Sequence, residues 1–255
     1  MKKLLISLCL LGLVSANDKI ISIGVTPYPT AMILENVKDL VTEQGYELKI
    51  VEFNDYILPN YAVNDEELDA NFTQTKPFLD SFNEERGSDL VSAGKIFIGP
   101  MAAYSKTIKN IKDLPKNALV YIPSDPINGT RALELLAKSN LIEFSENSKT
   151  KTILDISKNP LNLNIKEIEA PQLTRTLNEC DLAVINTNYA LLAKLNPIKD
   201  SILHEDSTSD YASVLAVKSK NINSQKTKVL LKAMQSEKMR EFLNKNFKDI
   251  LIPSF

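Results

Sequence analysis

The residues best suited to grip a small anionic group are an asparagine and an arginine close together in the sequence. Asn128 lies in the turn-rich segment 124–129, and Arg131 follows where helical spacing begins. Backbone N–H groups at a helix N-terminus attract a carboxylate, and a guanidinium grips one better than an ammonium does in a desolvated cleft. From spacing alone, an ordinary N-capped helix and a surface arginine are competing interpretations.

Residue sets typical of catalysis are lacking in this sequence. Beyond residue 16 there is one histidine, His204, and one cysteine, Cys180, with no recognisable Ser/His/Asp or Cys/His spacing. The sequence contains neither a GxGxxG nor a GxxxxGK[ST] nucleotide loop. We therefore predict no enzymatic activity, no cofactor and no metal site, and we expect His204 at the surface.

The N-terminus has the pattern of a secretory signal peptide over residues 1–16. Lys2 and Lys3 precede an apolar stretch, 4–14, which ends in a small-residue cleavage site. Residues of a lipoprotein cleavage signal do not precede Cys9, so we expect no lipid anchor there. No apolar run reaches the roughly twenty residues of a membrane-spanning helix. This pattern predicts an exported, soluble protein, and we expect it in a periplasm.

Charge and cysteine content restrict the partners and the source of stability. The chain carries a net charge of -2, and removal of the two signal-peptide lysines makes it -4, which argues against a nucleic-acid partner. Because Cys180 is then the only thiol, no intramolecular disulfide can form. Stability must therefore come from packing.

Apolar runs of strand length alternate with stretches of helical spacing along the chain. The strand-like runs are 20–25, 48–53, 95–98, 119–122, 165–168, 182–185 and 214–217. The helical stretches are 30–42, 77–85, 130–138, 173–177, 189–195 and 226–247. Several strand-like runs are continuously apolar, as in strands covered on both faces. This order predicts an α/β chain with mostly parallel sheets.

Several longer segments, in a fixed order, give the chain a family resemblance. It resembles the methionine-binding lipoprotein family of the NlpA type, which supplies substrate-binding proteins to ABC importers. The segments that carry the resemblance, together with Gln74, are Phe53-Asn54-Asp55-Tyr56-Ile57-Leu58-Pro59-Asn60, Asp69-Ala70-Asn71, Lys76-Pro77-Phe78-Leu79, Ala103-Tyr104-Ser105-Lys106, Pro123-Ser124-Asp125-Pro126, Glu169-Ala170-Pro171-Gln172-Leu173 and Ala183-Val184-Ile185-Asn186-Thr187.

The resemblance implies a two-lobed periplasmic binding protein fold of type 2, in which each lobe is a mostly parallel sheet flanked by helices. Two crossings between lobes are expected near 100–104 and 200–206. They place residues 17–100 and 206–255 in one lobe and 101–205 in the other. The expected function is capture of methionine, or a related amino acid or short peptide, in the interlobe cleft and delivery to an ABC importer permease. We expect a monomer.

The resemblance also assigns ligand-binding roles to particular residues. Arg131 matches the arginine that grips the ligand carboxylate, and Asn128 lies in a ligand-contacting loop. Asn186 matches an asparagine that contacts the amino-acid head. Tyr56 matches an aromatic of the cleft, where a ring packs against a thioether. Gln74 falls in the pocket segment, either as a ligand contact or as a brace for its loop.

This sequence departs from the family pattern where specificity is set. Thr73 and Thr75 stand where the family commonly has Phe and His, with Phe72 one position earlier. Gly99 replaces a Tyr, and Ser213 replaces an Asn. These changes predict a wider and more polar cleft wall. The resemblance therefore supports an amino-acid-type ligand more firmly than methionine itself.

Two other functions are open at this point. An enzyme could use the same fold, because function resides in the site and not in the architecture. It would need an acid, base or nucleophile, which Thr73, Thr75 and Gly99 do not evidently supply. A ligand-independent, adhesin-like interaction protein of the surface or periplasm is the second alternative.

Overall fold

The protein, described by a computed structural model over residues 19–145, 150–206 and 210–255, is built from two β-sheets flanked by helices. The signal-peptide residues 1–16, with Cys9, lie outside this described part. The strands are β1 (Ile20–Val25), β2 (Glu47–Glu52), β3 (Ala70–Thr75), β4 (Leu90–Ile98), β5 (Ala102–Tyr104), β6 (Leu119–Pro123), β7 (Glu143–Phe144), β8 (Ile156–Lys158), β9 (Asn164–Ile168), β10 (Leu182–Ile185), β11 (Leu203–His204), β12 (Ala212–Lys218) and β13 (Ile252–Pro253).

The helices lie between these strands and after β12. They are α1 (Met32–Glu43), α2 (Leu58–Asn64), α3 (Lys76–Arg86), α4 (Pro126–Lys138), α5 (Thr187–Leu192), α6 (Gln225–Met234) and α7 (Glu237–Asn246). Within the described ranges, no helix combines the length and the apolar character needed to cross a membrane.

The two large sheets are each drawn from different parts of the chain. The six-stranded sheet has the order β13-β4-β12-β3-β1-β2 and combines both ends of the chain. The five-stranded sheet has the order β11-β5-β10-β6-β9 and comes from the middle of the chain. The chain passes from one sheet to the other after β4 and returns after β11. These two passages produce a two-lobed α/β architecture, as expected.

The sheets are mixed, where we expected mostly parallel ones. In the six-stranded sheet β1 is parallel to β2 and β3, but β12 is antiparallel to β3 and β4. In the five-stranded sheet β6 is parallel to β9 and β10, but β5 is antiparallel to β10 and β11. The antiparallel strands flank the two passages between sheets. At each passage the chain enters the next strand, β5 or β12, directly from the other lobe. No helical crossover precedes that strand within its own sheet, so it is free to run antiparallel to its neighbours.

Helix–sheet packing explains the core of the first lobe. Ile21 and Ile23 of β1 are fully buried, and so are Ile33, Val37 and Val41 of α1. The four-residue spacing of these α1 side chains places them on one helix face, which packs against the sheet. Burying an aliphatic side chain of this size contributes about 1.5–3 kcal/mol.

The boundaries of two predicted helices differ from the expectation. The stretch 226–247 is two helices, α6 and α7, since the Ser236 hydroxyl accepts a 3.2 Å hydrogen bond from the Met239 N–H and caps a new helix. The stretch 173–177 belongs to a 3₁₀ helix, Ala170–Asn178. Neither change affects the elements that position the site.

Candidate functional site

One cavity between the two sheets brings together all nine residues predicted for the ligand site. Strand β3, the end of β4 and β12 contribute from the six-stranded sheet, while α4 and the end of β10 contribute from the other lobe. The predicted residues that it brings together are Tyr56, Thr73, Gln74, Thr75, Gly99, Asn128, Arg131, Asn186 and Ser213.

Arg131 is buried on α4 and is held by a carboxylate from the second passage between lobes. Its Nε donates to Glu205 Oε1 at 2.7 Å, and its Nη2 donates to Glu205 Oε2 at 2.5 Å. Nη2 also donates to the Gly99 carbonyl oxygen at 2.8 Å. The two side chains are only 5% and 8% exposed, so this bidentate pair is screened little by solvent.

Glu205 contacts the site arginine and was not predicted from the sequence. Its Oε2 also accepts from the Met101 N–H at 2.9 Å, so one carboxylate contacts both passages between lobes and the arginine. The Tyr211 ring lies 4.6 Å from the guanidinium carbon, and burial raises the pKa of Tyr211 to about 12. In the described part of the chain, no group accepts a hydrogen bond from Nη1 of Arg131. In the sequence, Glu205 is one of two consecutive acidic residues after His204, and this pattern does not single it out.

Asn128 and Asn186 form a buried chain of hydrogen bonds at the N-terminus of α4. Asn186 Nδ2 donates to Asn128 Oδ1 at 2.8 Å, and Asn128 Nδ2 donates to both Asp125 carboxylate oxygens at 3.0 Å. Burial raises the pKa of Asp125, and the hydrogen bonds from Asn128 oppose that shift. Asn186 Oδ1 is buried and has no partner among the described residues. This chain of hydrogen bonds therefore ends at Asn186 Oδ1, an acceptor without a donor.

Tyr56 contacts the opposite lobe through its hydroxyl group and its ring. The hydroxyl donates to Asn188 Oδ1 at 2.6 Å, and the ring centroid lies 5.3 Å from that of Tyr189 and 5.8 Å from that of Phe78. Tyr189 in turn donates to the Asn54 carbonyl oxygen at 3.1 Å. These contacts join the lobes, so the described arrangement is closed over the cavity.

Gln74 lies in a cluster of buried amides. Its Nε2 donates to Asn60 Oδ1 and Asn71 Oδ1, and its Oε1 accepts from Asn60 Nδ2 at 2.8 Å. Asn71 Nδ2 donates to Asn60 Oδ1 at 2.7 Å. Both donors and the acceptor of the Gln74 side chain are thus engaged by protein, which favours the bracing interpretation.

The wall at the altered positions is polar on one side and aromatic on the other. Thr73 and Thr75 of β3 and Ser213 of β12 line it, together with Phe72 and Phe97, whose ring centroids are 5.3 Å apart. The aromatic residues partly replace the rings that we expected to be lost. Phe97 was not predicted, although it belongs to an apolar strand end.

Gly99 leaves little room for a larger residue in this conformation. A Cβ there would lie 3.1 Å from Thr187 Oγ1 and 3.2 Å from Leu251 Cδ2. The space expected from losing a Tyr at this position is therefore partly filled by neighbouring side chains. His204, as expected, is exposed. In the ranges that the structure describes, no three His, Cys, Asp or Glu residues form a metal-binding group.

Two α/β lobes that are joined by two passages and enclose a cavity lined by buried polar side chains define a substrate-binding protein of the two-lobed class. Residues 21–255 match the model of the NlpA lipoprotein family, and the chain belongs to this family.

Curated and solved relatives agree with this assignment. The D-methionine-binding lipoprotein MetQ of Salmonella typhi is 41% identical over 231 residues, which span 89% of this chain and 85% of that protein. A nutrient binding protein from Burkholderia cenocepacia, solved bound to methionine, is 42% identical with a TM-score of 0.89, covering 92% of this chain and 100% of that one. An ABC transporter periplasmic substrate-binding protein from Coxiella burnetii is 39% identical with a TM-score of 0.88, at the same coverages.

Proposed function

We propose that this chain captures methionine or a related amino acid in its interlobe cavity and delivers it to an ABC importer. The observation that carries the proposal is the pairing, in one closed cavity, of an available guanidinium donor with an unpartnered acceptor. Arg131 Nη1 supplies the donor, and Asn186 Oδ1 supplies the acceptor. The relatives described above support the substrate class and the importer.

The two groups complement the two charges of an amino-acid head. A ligand carboxylate accepts from Nη1, while Glu205 fixes the guanidinium through its other face. A ligand ammonium donates to Asn186 Oδ1, which satisfies an acceptor that is otherwise costly to bury. Glu205 neutralises Arg131, so the site suits a zwitterion better than a ligand with net negative charge.

The size of the cavity favours a single amino acid over a peptide. The cavity has a volume of about 70 Å³. At roughly 10–15 Å³ for each water, this is space for about five to seven waters, or a liquid volume on the order of 150–200 Å³. A free amino acid the size of methionine fills such a volume, whereas a dipeptide requires the lobes to part.

The remaining features of the proposal concern organisation and location. The lobes are residues 17–100 with 206–255, and residues 101–205. They rotate about the two passages, and the closed form is the one presented to the permease. The protein acts as a periplasmic monomer that binds and releases its ligand unchanged, without enzymatic activity. A ligand-independent interaction role finds no support in the relatives.

Attachment to a membrane depends on the N-terminus. We predicted that Cys9 is removed with the signal peptide, whereas the names of the family and of its relatives contain the word lipoprotein. The mass of the processed N-terminus separates these outcomes. Cleavage after Ala16 releases an unmodified chain that begins at Asn17, and a lipidated chain begins at Cys9.

Thermal melting of the ligand-stripped mature protein tests the proposed function. Carried-over ligand is removed by unfolding and refolding, and L-methionine, D-methionine, other L-amino acids and methionine-containing dipeptides are added separately. A ligand that binds only the folded state at a hundred times its dissociation constant adds about 2.7 kcal/mol. We expect a selective rise in melting temperature with one small group of amino acids. The absence of a rise with every compound contradicts the proposal.

A further inference from the structure

The wall of the cavity formed by β3 contains a buried hydroxyl group that the protein leaves without a partner. Thr73 lines the cavity and is 9% exposed, and its Oγ1 is sealed from solvent with no hydrogen bond to any described residue. Asn186 Oδ1, on the opposite lobe, is a second buried cavity atom without a partner among the described residues. The proposed amino-acid head accounts for Asn186 Oδ1, and Thr73 is not among the residues proposed to hold that head.

A bulge in β3 lies at Phe72 and Thr73. Gln74 is paired with Val214, and Asn71 is paired with Ala216 on β12, so Phe72 and Thr73 together stand opposite the single residue Leu215. A regular strand turns consecutive side chains to opposite faces, and a bulge disturbs this alternation. Four consecutive residues of the strand, Phe72 to Thr75, line the cavity.

The hydroxyl group has a chemical preference that methionine does not meet well. A threonine hydroxyl is a full hydrogen-bond donor, but a thioether sulfur is only a weak acceptor. A buried donor left without an acceptor is unfavourable, and a ligand oxygen would remove that cost. Phe72 and Phe97 beside it favour the aliphatic part of a side chain. This wall therefore suits an unbranched aliphatic side chain that ends in an oxygen acceptor.

We infer that the cleft selects amino acids of methionine's length whose side chain carries an oxygen on its δ atom, with Thr73 as the residue that recognises this oxygen. The inference rests on the proposed function, because it assumes that an amino-acid head is held by Arg131 and Asn186. Glutamine and methionine sulfoxide share this chemistry, and norleucine is a matched ligand of similar length without a polar tail.

Calorimetric titration of the ligand-stripped protein with L-glutamine, L-methionine sulfoxide, L-methionine and L-norleucine tests the inference. We expect the wild-type protein to bind at least one oxygen-bearing ligand about tenfold or more tightly than methionine. Thr73→Val keeps the shape and removes the hydroxyl, so this ratio of dissociation constants should fall by at least tenfold. Thr73→Ser keeps the hydroxyl and should preserve the preference.

Thr26→Val is the matched control variant. Thr26 also lines the cavity, but its hydroxyl already lies 2.9 Å from Thr30 Oγ1. We expect the ligand ratio to change less than twofold in this variant. In the absence of ligand, Thr73→Val should melt no lower than the wild type, because it removes an unpartnered buried group, and Thr26→Val should melt lower.

The outcomes separate the inference from the proposed function. The inference is overturned if the wild type binds methionine more tightly than both oxygen-bearing ligands, or if Thr73→Val leaves the ratio of dissociation constants unchanged. Either result leaves amino-acid binding intact. Failure of the wild type to bind any of the four ligands overturns both.

Discussion

Glu205→Gln provides a direct test of how the site is built. The substitution keeps the size of the side chain but removes the charge that pairs with Arg131. It also places amide donors where the guanidinium Nε and Nη2 and the Met101 N–H now donate to Glu205. Breaking a buried ion pair by removing one partner costs about 3–5 kcal/mol. One amide oxygen can still accept a hydrogen bond, so we expect a loss near the lower limit.

The assay is urea unfolding of the ligand-free protein followed by circular dichroism, with the slope m checked against the wild type. We expect Glu205→Gln to lower the free energy of unfolding by about 3 kcal/mol. In a chain of this size that corresponds to a fall in melting temperature of roughly 6–12 °C.

A matched control is available in an exposed pair of the same chemistry. Glu237 lies 3.5 Å from Arg240 on α7, and these side chains are 73% and 36% exposed. Glu237→Gln should therefore change stability by less than about 0.5 kcal/mol. Equal unfolding free energies for the wild type and Glu205→Gln would refute the assignment of Glu205 as the residue that fixes the site arginine.

Three further expectations concern other buried groups. Gln74→Leu should lower the free energy of unfolding by about 2–4 kcal/mol in urea unfolding, because it removes the hydrogen-bond partner of Asn60 Nδ2 and that of Asn71 Oδ1. No loss of stability would contradict the bracing role. Tyr56→Phe removes the 2.6 Å hydrogen bond between the Tyr56 hydroxyl and Asn188, a contact that holds the lobes closed. We expect it to weaken L-methionine binding about fivefold in calorimetry, or about 1 kcal/mol. Unchanged affinity would show that closure does not depend on this bond. Burial raises the pKa of the Cys180 thiol to about 11, so the folded state holds this proton more tightly than the unfolded state does, and the free energy of unfolding should fall as pH rises from about 9 to 11. Iodoacetamide at pH 8 should modify the folded protein about a hundredfold more slowly than the unfolded protein. Equal rates of modification would contradict this expectation.

The parts of the fold that could be predicted from sequence are those with a regular apolar pattern. Strand β1, Ile20–Val25, and strand β10, Leu182–Ile185, have the predicted bounds, because continuous apolar runs form strands covered on both faces, with four of six residues buried in β1 and all four in β10. Strand β3 was not predicted. Its sequence, Ala70–Thr75, is largely polar, yet five of its six residues are buried. The burial comes from the amide cluster and the cavity, which single-sequence periodicity does not reveal.

The site could be predicted only as far as its residues match a family pattern. That match predicted that Arg131, Asn128 and Asn186 belong to one ligand site, and the structure places all three at the cavity. Their ligand contacts are still predictions. Glu205 could not be found in this way, because its role depends on a distance across 74 positions of the chain. The polar wall was anticipated, but the bulge at Phe72 and Thr73 is a property of strand pairing.

The central claim is that an amino acid binds in the cavity through Arg131, and calorimetric titration with L-methionine tests it most directly. The pair to compare is the ligand-stripped wild type and Arg131→Lys, which keeps a positive charge for Glu205 but lacks the planar fork. We expect one ligand bound for each wild-type chain and affinity at least tenfold weaker in Arg131→Lys, with circular dichroism unchanged. Equal affinity in the two proteins would contradict the central claim.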